Sequence, residues 1–501
     1  MSFNSVCLFD LNADAAREHM LKSASYFDIT LPPYFNFGPI LNAAFEIAKH
    51  TGLKEIRNWK PQDCSGVNYT FLSNKDGKFS WRPFELINPL IYAKSVHLLT
   101  EPNAWKLTQN RLKSFSGGIV ECCSLPVVAT GVMSDIAEQI LMWWHKIEQR
   151  SLELSFEYSH VAVTDVTNCY PSIYTHSISW AFHDRPFIKS GNNRNKDNLI
   201  GNRLDRLIQI SREGQTNGIP QASILSHVLA ELIMGYCDKG INERLKDSNI
   251  SILRYRDDYR IFGMSDADCN EALKVVSEEL LIFGMRLGAA KTSESSNLVS
   301  AAVKREKVDA LGLQVAQKTL QKELLVIHNF ALENPNTGAL KVLLKTHILE
   351  IERQIKKDRY EFENKKVLVA ILLDLAAISP NVLPAIARAV SLILDKMQPE
   401  ERNELFRLVL KKAERIPNSG YFEIWLQRMA LPNGIAFQPT DALCNSVLAD
   451  SANLWNFDWI EDEKVKATLS NFSVVDRSQV DEVTPVIKEE EIDDFWKDNP
   501  S

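Results

Sequence analysis

The chain has 501 residues, more than one ordinary hydrophobic core accommodates, and its 45% apolar and 24% charged residues are typical of a soluble globular protein. No apolar run approaches the roughly 18–20 residues that a membrane helix requires, and the N-terminus lacks the features of a signal peptide. The net charge of −7 arises in the acidic residues 451–501, so the preceding chain is close to neutral and can still carry a basic groove.

The eight cysteines follow neither a disulfide framework nor a paired zinc pattern. Reduced cysteines buried in a core are the simplest interpretation. We therefore expect a cytoplasmic protein with no membrane partner.

The first predicted elements are an extended segment and a hairpin. Leu31–Phe37 contains two adjacent prolines, which favour an extended backbone. Further along, Gly77-Lys78 and Trp81–Phe84 favour a turn between two strands, with Arg82 on the second strand.

The next predicted strand ends in a single carboxylate. From Glu157 to Asp165, small apolar residues alternate with larger polar ones, as in a strand that delivers one acid to a sheet edge. Tyr170 follows five residues later, and Pro171-Ser172 favour a turn and a helix start.

A stiff loop and a helix come next. In Gln215–Ser223, Gly218 and Pro220 predict a tight turn. The following residues predict a helix with one apolar face, formed by Leu225, Val228, Leu229, Leu232 and Tyr236.

Two adjacent acids then lie between strand-forming residues. The run Ile252–Phe262 predicts a β-hairpin with Asp257 and Asp258 at its tip. A solvated Asp-Asp turn is the plain alternative. Like charges side by side repel unless a cation neutralises them, and oxygen ligands suit Mg²⁺ or Mn²⁺. With Asp165 as a third acid, the set predicts two-metal phosphoryl transfer.

In order, spacing and residue type, these segments resemble motifs A, B and C of reverse transcriptases. The matching residues are Asp165 with Tyr170, Gly218 to Ser223, and Tyr255 to Asp258. Gly284–Leu287 followed by Lys291 is similar to motif D. The resemblance covers roughly residues 30–320.

The resemblance implies roles for individual residues. Lys291 is implied as the general acid for the leaving pyrophosphate, with an ordinary exposed lysine as the alternative. Arg82 and Lys78 are implied to grip the incoming triphosphate in a fingers hairpin. Tyr170 is implied to exclude a ribose 2′-hydroxyl, and Gln221 to contact the nucleotide.

Finer details resemble bacterial abortive-infection and defence-associated reverse transcriptases, in particular the AbiK group. They lie in Tyr170–Trp180, Gly201–Asp205 and Ala230–Leu232. Two departures from the family pattern are Ala222, in place of a glycine, and His227, in place of a proline.

This narrower resemblance implies antiphage defence, a homo-oligomer, and untemplated DNA synthesis primed from a protein hydroxyl. Tyr34 is a candidate primer, and an ordinary packed aromatic is its alternative. Related defence enzymes instead copy a dedicated non-coding RNA, and the sequence leaves both modes open.

From about residue 318 the pattern becomes helical. Four apolar segments each have room for one helix and a turn: Leu340–Leu344, Val367–Leu373, Ile386–Leu394 and Leu405–Leu410. They predict a HEAT-like stack, with an irregular helical domain as the alternative. Asp309–Val315 predicts a closing strand of the palm, and the acidic end predicts a solvated tail.

We therefore expect an α+β right-hand fold. Its expected domains are an N-terminal segment with fingers at 1–149, a palm at 150–317, a HEAT-like helical domain at 318–450 and an acidic tail at 451–501. The expected function is a DNA polymerase that uses dNTPs and makes a DNA product. An RNA polymerase and a non-catalytic palm scaffold are the rivals.

Overall fold

A computed structural model describes residues 4–52, 64–75, 79–131, 134–313, 319–357, 364–449 and 454–495. The strands of these residues are β1 Ser5–Cys7, β2 Tyr69–Asn74, β3 Trp81–Leu86, β4 Val120–Cys122, β5 Val127–Ala129, β6 His160–Asp165, β7 Ser251–Tyr255, β8 Asp258–Gly263 and β9 Ser293–Ser295. The largest sheet has the order β4-β7-β8-β6-β9.

Helices surround this sheet and form the C-terminal part. Before the sheet's last strand they are Ala13–Met20, Ser23–Tyr26, Gly38–His50, Pro89–Leu99, Pro102–Phe115, Asp135–Trp143, Arg150–Leu154, Cys169–Ser172, Ser177–His183, Arg185–Lys189, Ile200–Ser211, Ile224–Leu245 and Asp266–Ile282. After it they are Leu298–Ala302, Arg305–Leu311, Leu320–Glu333, Gly338–Lys356, Lys365–Ile378, Leu383–Asp395, Pro399–Ala413, Gly420–Ala430, Ala442–Leu448, Glu463–Ser470 and Arg477–Asp481.

The central sheet takes its register from alternating buried residues. β8 lies between β6 and β7, antiparallel to both, whereas β4 joins β7 in parallel. Ile252 and Ile261 pair across β7 and β8, and both side chains are fully buried. A slip of one residue would turn these side chains to the opposite face, so burial fixes the register at the hairpin tip.

The predicted helix after the stiff loop is present as Ile224–Leu245. Ser223 caps its N-terminus, because its hydroxyl oxygen accepts from the Ser226 N–H. Leu225, Val228, Leu229 and Leu232 are completely buried, as the predicted apolar face requires. Glu231 and Asp238 of this helix pair with Arg254 of β7, which attaches the helix to the sheet.

Each of the four apolar segments predicted in the C-terminal part lies in a helix of its own. Those helices are Gly338–Lys356, Lys365–Ile378, Leu383–Asp395 and Pro399–Ala413. The helical character is therefore confirmed, whereas the HEAT-like arrangement stays a prediction.

Two predictions are wrong. The expected closing strand at 309–315 is instead the end of the helix Arg305–Leu311, with Leu311 75% exposed, and residues 314 and 315 lie outside the described ones. The acidic C-terminal segment is not a solvated tail in its described part, because Trp455, Trp459, Ile487 and Ile492 are buried.

All eight cysteines lie in the described part of the chain and are unpaired, as expected. In those same ranges, no helix combines the length and apolar character that crossing a bilayer needs.

Candidate active site

Three acidic residues lie at the tip of the hairpin formed by β7 and β8. Asp165, the last residue of β6, stands directly opposite Asp258, the first residue of β8. Asp257 precedes Asp258 in the turn, and the Asp257 carbonyl accepts from the Val166 N–H at 2.9 Å. Residues directly opposite in an antiparallel pair project to the same face. The sheet therefore brings together the three acids that the sequence singles out.

The turn that carries these acids is held in an unusual backbone conformation. Arg256 has φ of +54°, a region that side chains with a Cβ rarely adopt. Its N–H donates to Ser124 Oγ at 2.7 Å, and its carbonyl accepts from Arg254 Nη1 at 3.1 Å. Arg254 is itself completely buried and pairs with Glu231 and Asp238 at 3.1 and 2.8 Å. Sequence reasoning missed this support because it joins residues far apart in the chain.

The acids carry an electrostatic cost. Removal from water, followed by the neighbouring charge of Asp257, raises the pKa of Asp258 to about 6. Burial also raises the pKa of Asp257, and the charge of Asp165 adds to that shift. The ammonium of Lys291 contacts Asp165 Oδ2, and this hydrogen bond raises the lysine pKa. Lys291 thus acts as a counterion.

The donor set fits a hard divalent cation. Oδ1 of Asp165 is buried without a hydrogen-bond partner, and a Cβ at Gly288 would lie 2.5 Å from it. Among the described residues, no three His, Cys, Asp or Glu side chains form a group that could hold a metal ion in this conformation, and the Lys291 ammonium contacts Asp165 Oδ2. An unsatisfied carboxylate oxygen beside two carboxyls with raised pKa values is nevertheless the donor chemistry that Mg²⁺ or Mn²⁺ uses.

The predicted fingers hairpin is present as β2 and β3. Arg82 is exposed and faces Ser73 across the hairpin, and Lys78 lies outside the described residues. Lys75 is the basic residue that sequence reasoning missed. Burial lowers its pKa first, and then the positive charges of Arg82 and Lys291. The negative charges of Asp165 and Asp257 also reach it.

The hairpin register is the signal that could have identified Lys75. Its N–H donates to Ser80 at 2.8 Å, which extends the pairing of β2 and β3 by one step. Lys75 is two positions from Ser73, the partner of Arg82, so Lys75 and Arg82 project to one face.

Tyr170 is half-buried, five residues after Asp165. Its hydroxyl lies 2.7 Å from Nδ1 of His227, and Nε2 of His227 lies 2.6 Å from Oδ2 of Asp28. Burial is the largest cause of the raised pKa of Tyr170, so this phenol stays protonated. Asp28 has no recognisable signal in the sequence.

The stiff loop contacts the fingers hairpin. The carbonyl of Gln221, a half-buried residue, accepts from the Glu85 N–H at 3.4 Å. Ala222 has φ of +72°, the left-handed conformation that glycine adopts most readily, and its carbonyl accepts from the Asp28 N–H at 3.1 Å. The missing glycine therefore does not abolish the turn.

A cavity of about 820 Å³ lies beside this site. Its lining includes Tyr170, His227 and Arg256 of the palm, Asp28 of the N-terminal segment, and Glu491. The three carboxylates do not line it.

Tyr34, the candidate primer, is fully buried and its hydroxyl has no hydrogen-bond partner among the described residues. Burial raises its pKa well above the ordinary value. Its ring centroid lies 4.8 Å from that of Phe35. The priming role of Tyr34 stays a prediction.

Comparison with protein families finds a reverse transcriptase domain. The family model described as reverse transcriptase (RNA-dependent DNA polymerase) matches residues 104–315, the part of the chain that contains all three acids and Lys291. Such a domain implies nucleotidyltransferase activity, and reverse transcriptases normally use divalent metal ions. No curated protein matches the sequence.

Solved structures that match include telomerases of Candida species. Apo telomerase from Candida tropicalis truncated from its C-terminal domain is 15% identical, with 46% of this chain and 49% of that chain covered and a TM-score of 0.29. Untruncated apo telomerase from Candida tropicalis is 12% identical, with coverage of 82% and 70% and a TM-score of 0.31. Telomerase from Candida albicans in complex with a telomeric RNA fragment is 13% identical, with coverage of 76% and 69% and a TM-score of 0.30. The chain thus spans about half the length of the first of these. Scores this low carry no argument about function.

Proposed function

We propose, with the reverse transcriptase domain at residues 104–315 as the premise, that this chain is a metal-dependent DNA polymerase. The observation that carries the proposal is the placement of Asp165 opposite Asp258, with Asp257 beside them. Lys75 and Lys291, two cations of different elements, lie within electrostatic reach of this set. Acids that hold cations and basic groups that hold phosphates are what nucleotidyl transfer requires.

The proposed roles follow from chemistry and position. When bound, divalent cations lower the pKa of the attacking 3′-hydroxyl and offset charge on the pyrophosphate. Asp165, Asp257 and Asp258 would hold them. Lys75 and Arg82, with Lys78, would bind the triphosphate. Further roles are proton donation to the pyrophosphate by Lys291, exclusion of a 2′-hydroxyl by Tyr170 and contact with the nucleotide by Gln221.

The test replaces single carboxylates. Asp257→Asn and Asp165→Asn should abolish dNTP incorporation with Mg²⁺, because each removes a charged oxygen ligand. Asp247→Asn, at an exposed acid in a turn of the same domain, is the matched control and should keep full activity. Circular dichroism and thermal melting would verify folding. Equal incorporation by wild type and Asp257→Asn would refute the site, and a wild type inactive on every primer would favour a palm scaffold.

The finer proposal is a role in antiphage defence, as in abortive-infection enzymes. Its support is the motif resemblance, with Tyr170–Trp180 and Ala230–Leu232 as its main segments. On this proposal the protein is a cytoplasmic homo-oligomer with a HEAT-like C-terminal domain. Synthesis is then untemplated and protein-primed, or it copies a dedicated non-coding RNA.

The primer can be identified directly. Purified protein is incubated with labelled dNTP, denatured, and analysed before and after protease treatment. Label that stays with the protein until protease is added would indicate priming from a side chain. Label that migrates free of protein would favour a nucleic-acid primer such as a bound RNA, and sequencing the co-purified nucleic acid would identify it.

A further inference from the structure

Three side chains from separate parts of the chain form a hydrogen-bonded series that ends on Tyr170. Asp28 lies in the N-terminal segment, His227 in the first turn of the helix Ile224–Leu245, and Tyr170 in the helix Cys169–Ser172. The carboxylate of Asp28 is 2.6 Å from Nε2 of His227, and Nδ1 of His227 is 2.7 Å from the Tyr170 hydroxyl.

The chemistry of the groups fixes the direction of the first bond of the series. An ionised carboxylate only accepts, so Nε2 of His227 donates to Asp28. Nδ1 of His227 accepts from the Tyr170 phenol when the ring is neutral and donates to the phenol oxygen when the ring is protonated. Burial favours the neutral form of Asp28, but the charge and the hydrogen bond of His227 and the charge of Arg256 outweigh it and leave the pKa lowered. Asp28 therefore stays ionised and holds the orientation of the His227 ring.

The Asp28 end of the series is also held by a backbone hydrogen bond. The N–H of Asp28 donates to the carbonyl of Ala222 at 3.1 Å, so the N-terminal segment is attached to the loop that precedes the helix of His227. The rings of Tyr170 and His227 meet edge to face, with centroids 5.9 Å apart and an interplanar angle of 85°. Both the hydroxyl and the ring of Tyr170 are thus held.

An ordinary satisfied tyrosine would not need this arrangement. Tyr170 is half-buried and lines the cavity of about 820 Å³, where a solvent molecule could satisfy its hydroxyl. Instead an ionised carboxylate and an imidazole are placed behind it. Such a series fixes the ring's position, and steric exclusion of a hydroxyl depends on the position of the excluding atoms to fractions of an ångström.

We propose that Asp28 and His227 are positioning residues that hold Tyr170 in the orientation that excludes ribonucleotides. This inference rests on the proposed polymerase function. It makes sugar selection in this chain depend on the hydroxyl of Tyr170 as well as on its ring, and on an N-terminal residue outside the matched domain.

The experiment measures the ratio of kcat/KM for a dNTP to that for the matching rNTP. Tyr170→Phe keeps the ring and removes the hydroxyl, whereas His227→Leu removes the hydrogen-bond partner of that hydroxyl. Each should lower the ratio about three- to tenfold, the effect of losing one hydrogen bond. The double variant should be no worse than either single one, because both interrupt the same series. His227→Asn, whose amide oxygen can take the place of Nδ1, should recover part of the ratio.

Asp28→Asn tests the same positioning role if His227→Leu does not fold. It should lower the ratio in the same direction, and thermal melting separates this effect from lost stability. Unchanged ratios for Tyr170→Phe and Asp28→Asn, with a low ratio for Tyr170→Ala, would show that ring bulk alone selects the sugar and would overturn the inference. In that case the polymerase function stands. A wild type that incorporates no dNTP would instead remove the function on which the inference rests.

Discussion

At the scale of single residues, Asp258 shows the electrostatic cost of two adjacent buried carboxylates. Its pKa of about 6 is caused by removal from water and by the charge of Asp257. In the folded protein, Asp258 therefore keeps a proton at pH values where an unfolded aspartate has lost it. The stability from this group is present below the ordinary pKa and is lost as pH rises toward 6.

A cation and a proton should therefore compete at Asp258. At a pH of about 5.5, a group with this pKa is mostly protonated, so Mg²⁺ should bind about fourfold more weakly than at a pH of about 7.5. The measurement is the Mg²⁺ concentration that gives half of the maximal thermal shift at each pH. Asp258→Asn should lose most of this pH dependence. Tighter Mg²⁺ binding at the lower pH would contradict the assignment.

Ala222 provides a backbone test. Its φ of +72° strains a residue with a Cβ, so Ala222→Gly should raise the free energy of unfolding by about 0.5–1 kcal/mol. Ala230→Gly is the matched control, because that alanine is in a helix interior and its replacement should cost about 1 kcal/mol. Urea unfolding measures both. A loss of stability in both variants would mean that the left-handed conformation is not what governs Ala222.

At the scale of elements, the fingers hairpin places Lys75 near the acids, with Arg82 on the same face of the hairpin. Lys75→Ala should raise KM for dNTP about tenfold or more, because a charge-assisted hydrogen bond to the triphosphate is lost. Lys106→Ala, at an exposed helix position, should leave KM unchanged. A KM for Lys75→Ala within twofold of wild type would exclude Lys75 from the triphosphate site.

The sequence predicts the secondary-structure elements better than the contacts between distant residues that hold them in place. A strand has a period of two, so the alternating residues can be recognised in the sequence of β6, β7 and β8, together with the acids at their ends. Asp309–Leu313 is misread because a short apolar run suits a helix as well as a strand. Lys75 and Asp28 are missed because their importance arises from pairing across a hairpin and from a contact 199 residues away.

At the scale of the whole molecule, the C-terminal segment packs against the N-terminal part of the chain. The Asn36 N–H donates to Val474 at 2.8 Å, and Trp455 Nε1 donates to Leu86 at 3.0 Å. Arg428, completely buried, pairs with both carboxylate oxygens of Glu491 at 2.6 and 2.7 Å. Acidic composition alone suggests a solvated segment. It does not reveal that a glutamate of this segment pairs with a buried arginine elsewhere in the chain.

Breaking this pair should destabilise the protein strongly. Glu491→Gln leaves the Arg428 charge buried without its partner, so the free energy of unfolding should fall by about 3 kcal/mol. Glu489→Gln, at an exposed glutamate two residues earlier, is the control and should change it by less than about 0.5 kcal/mol. Chemical denaturation measures both. Equal stability of the two variants would show that the segment is not held by this pair.

The positions of Asp28 and Lys75 show that the reverse transcriptase domain depends on residues that precede it. Both precede residue 104, where the reverse transcriptase match begins, yet Asp28 bonds to His227 inside it and Lys75 lies near its acids. A chimera that exchanged residues 104–315 alone would separate His227 from Asp28 and the acids from Lys75. The structural unit is therefore longer than the recognisable domain, and transplantation between relatives would have to carry the N-terminal segment with it.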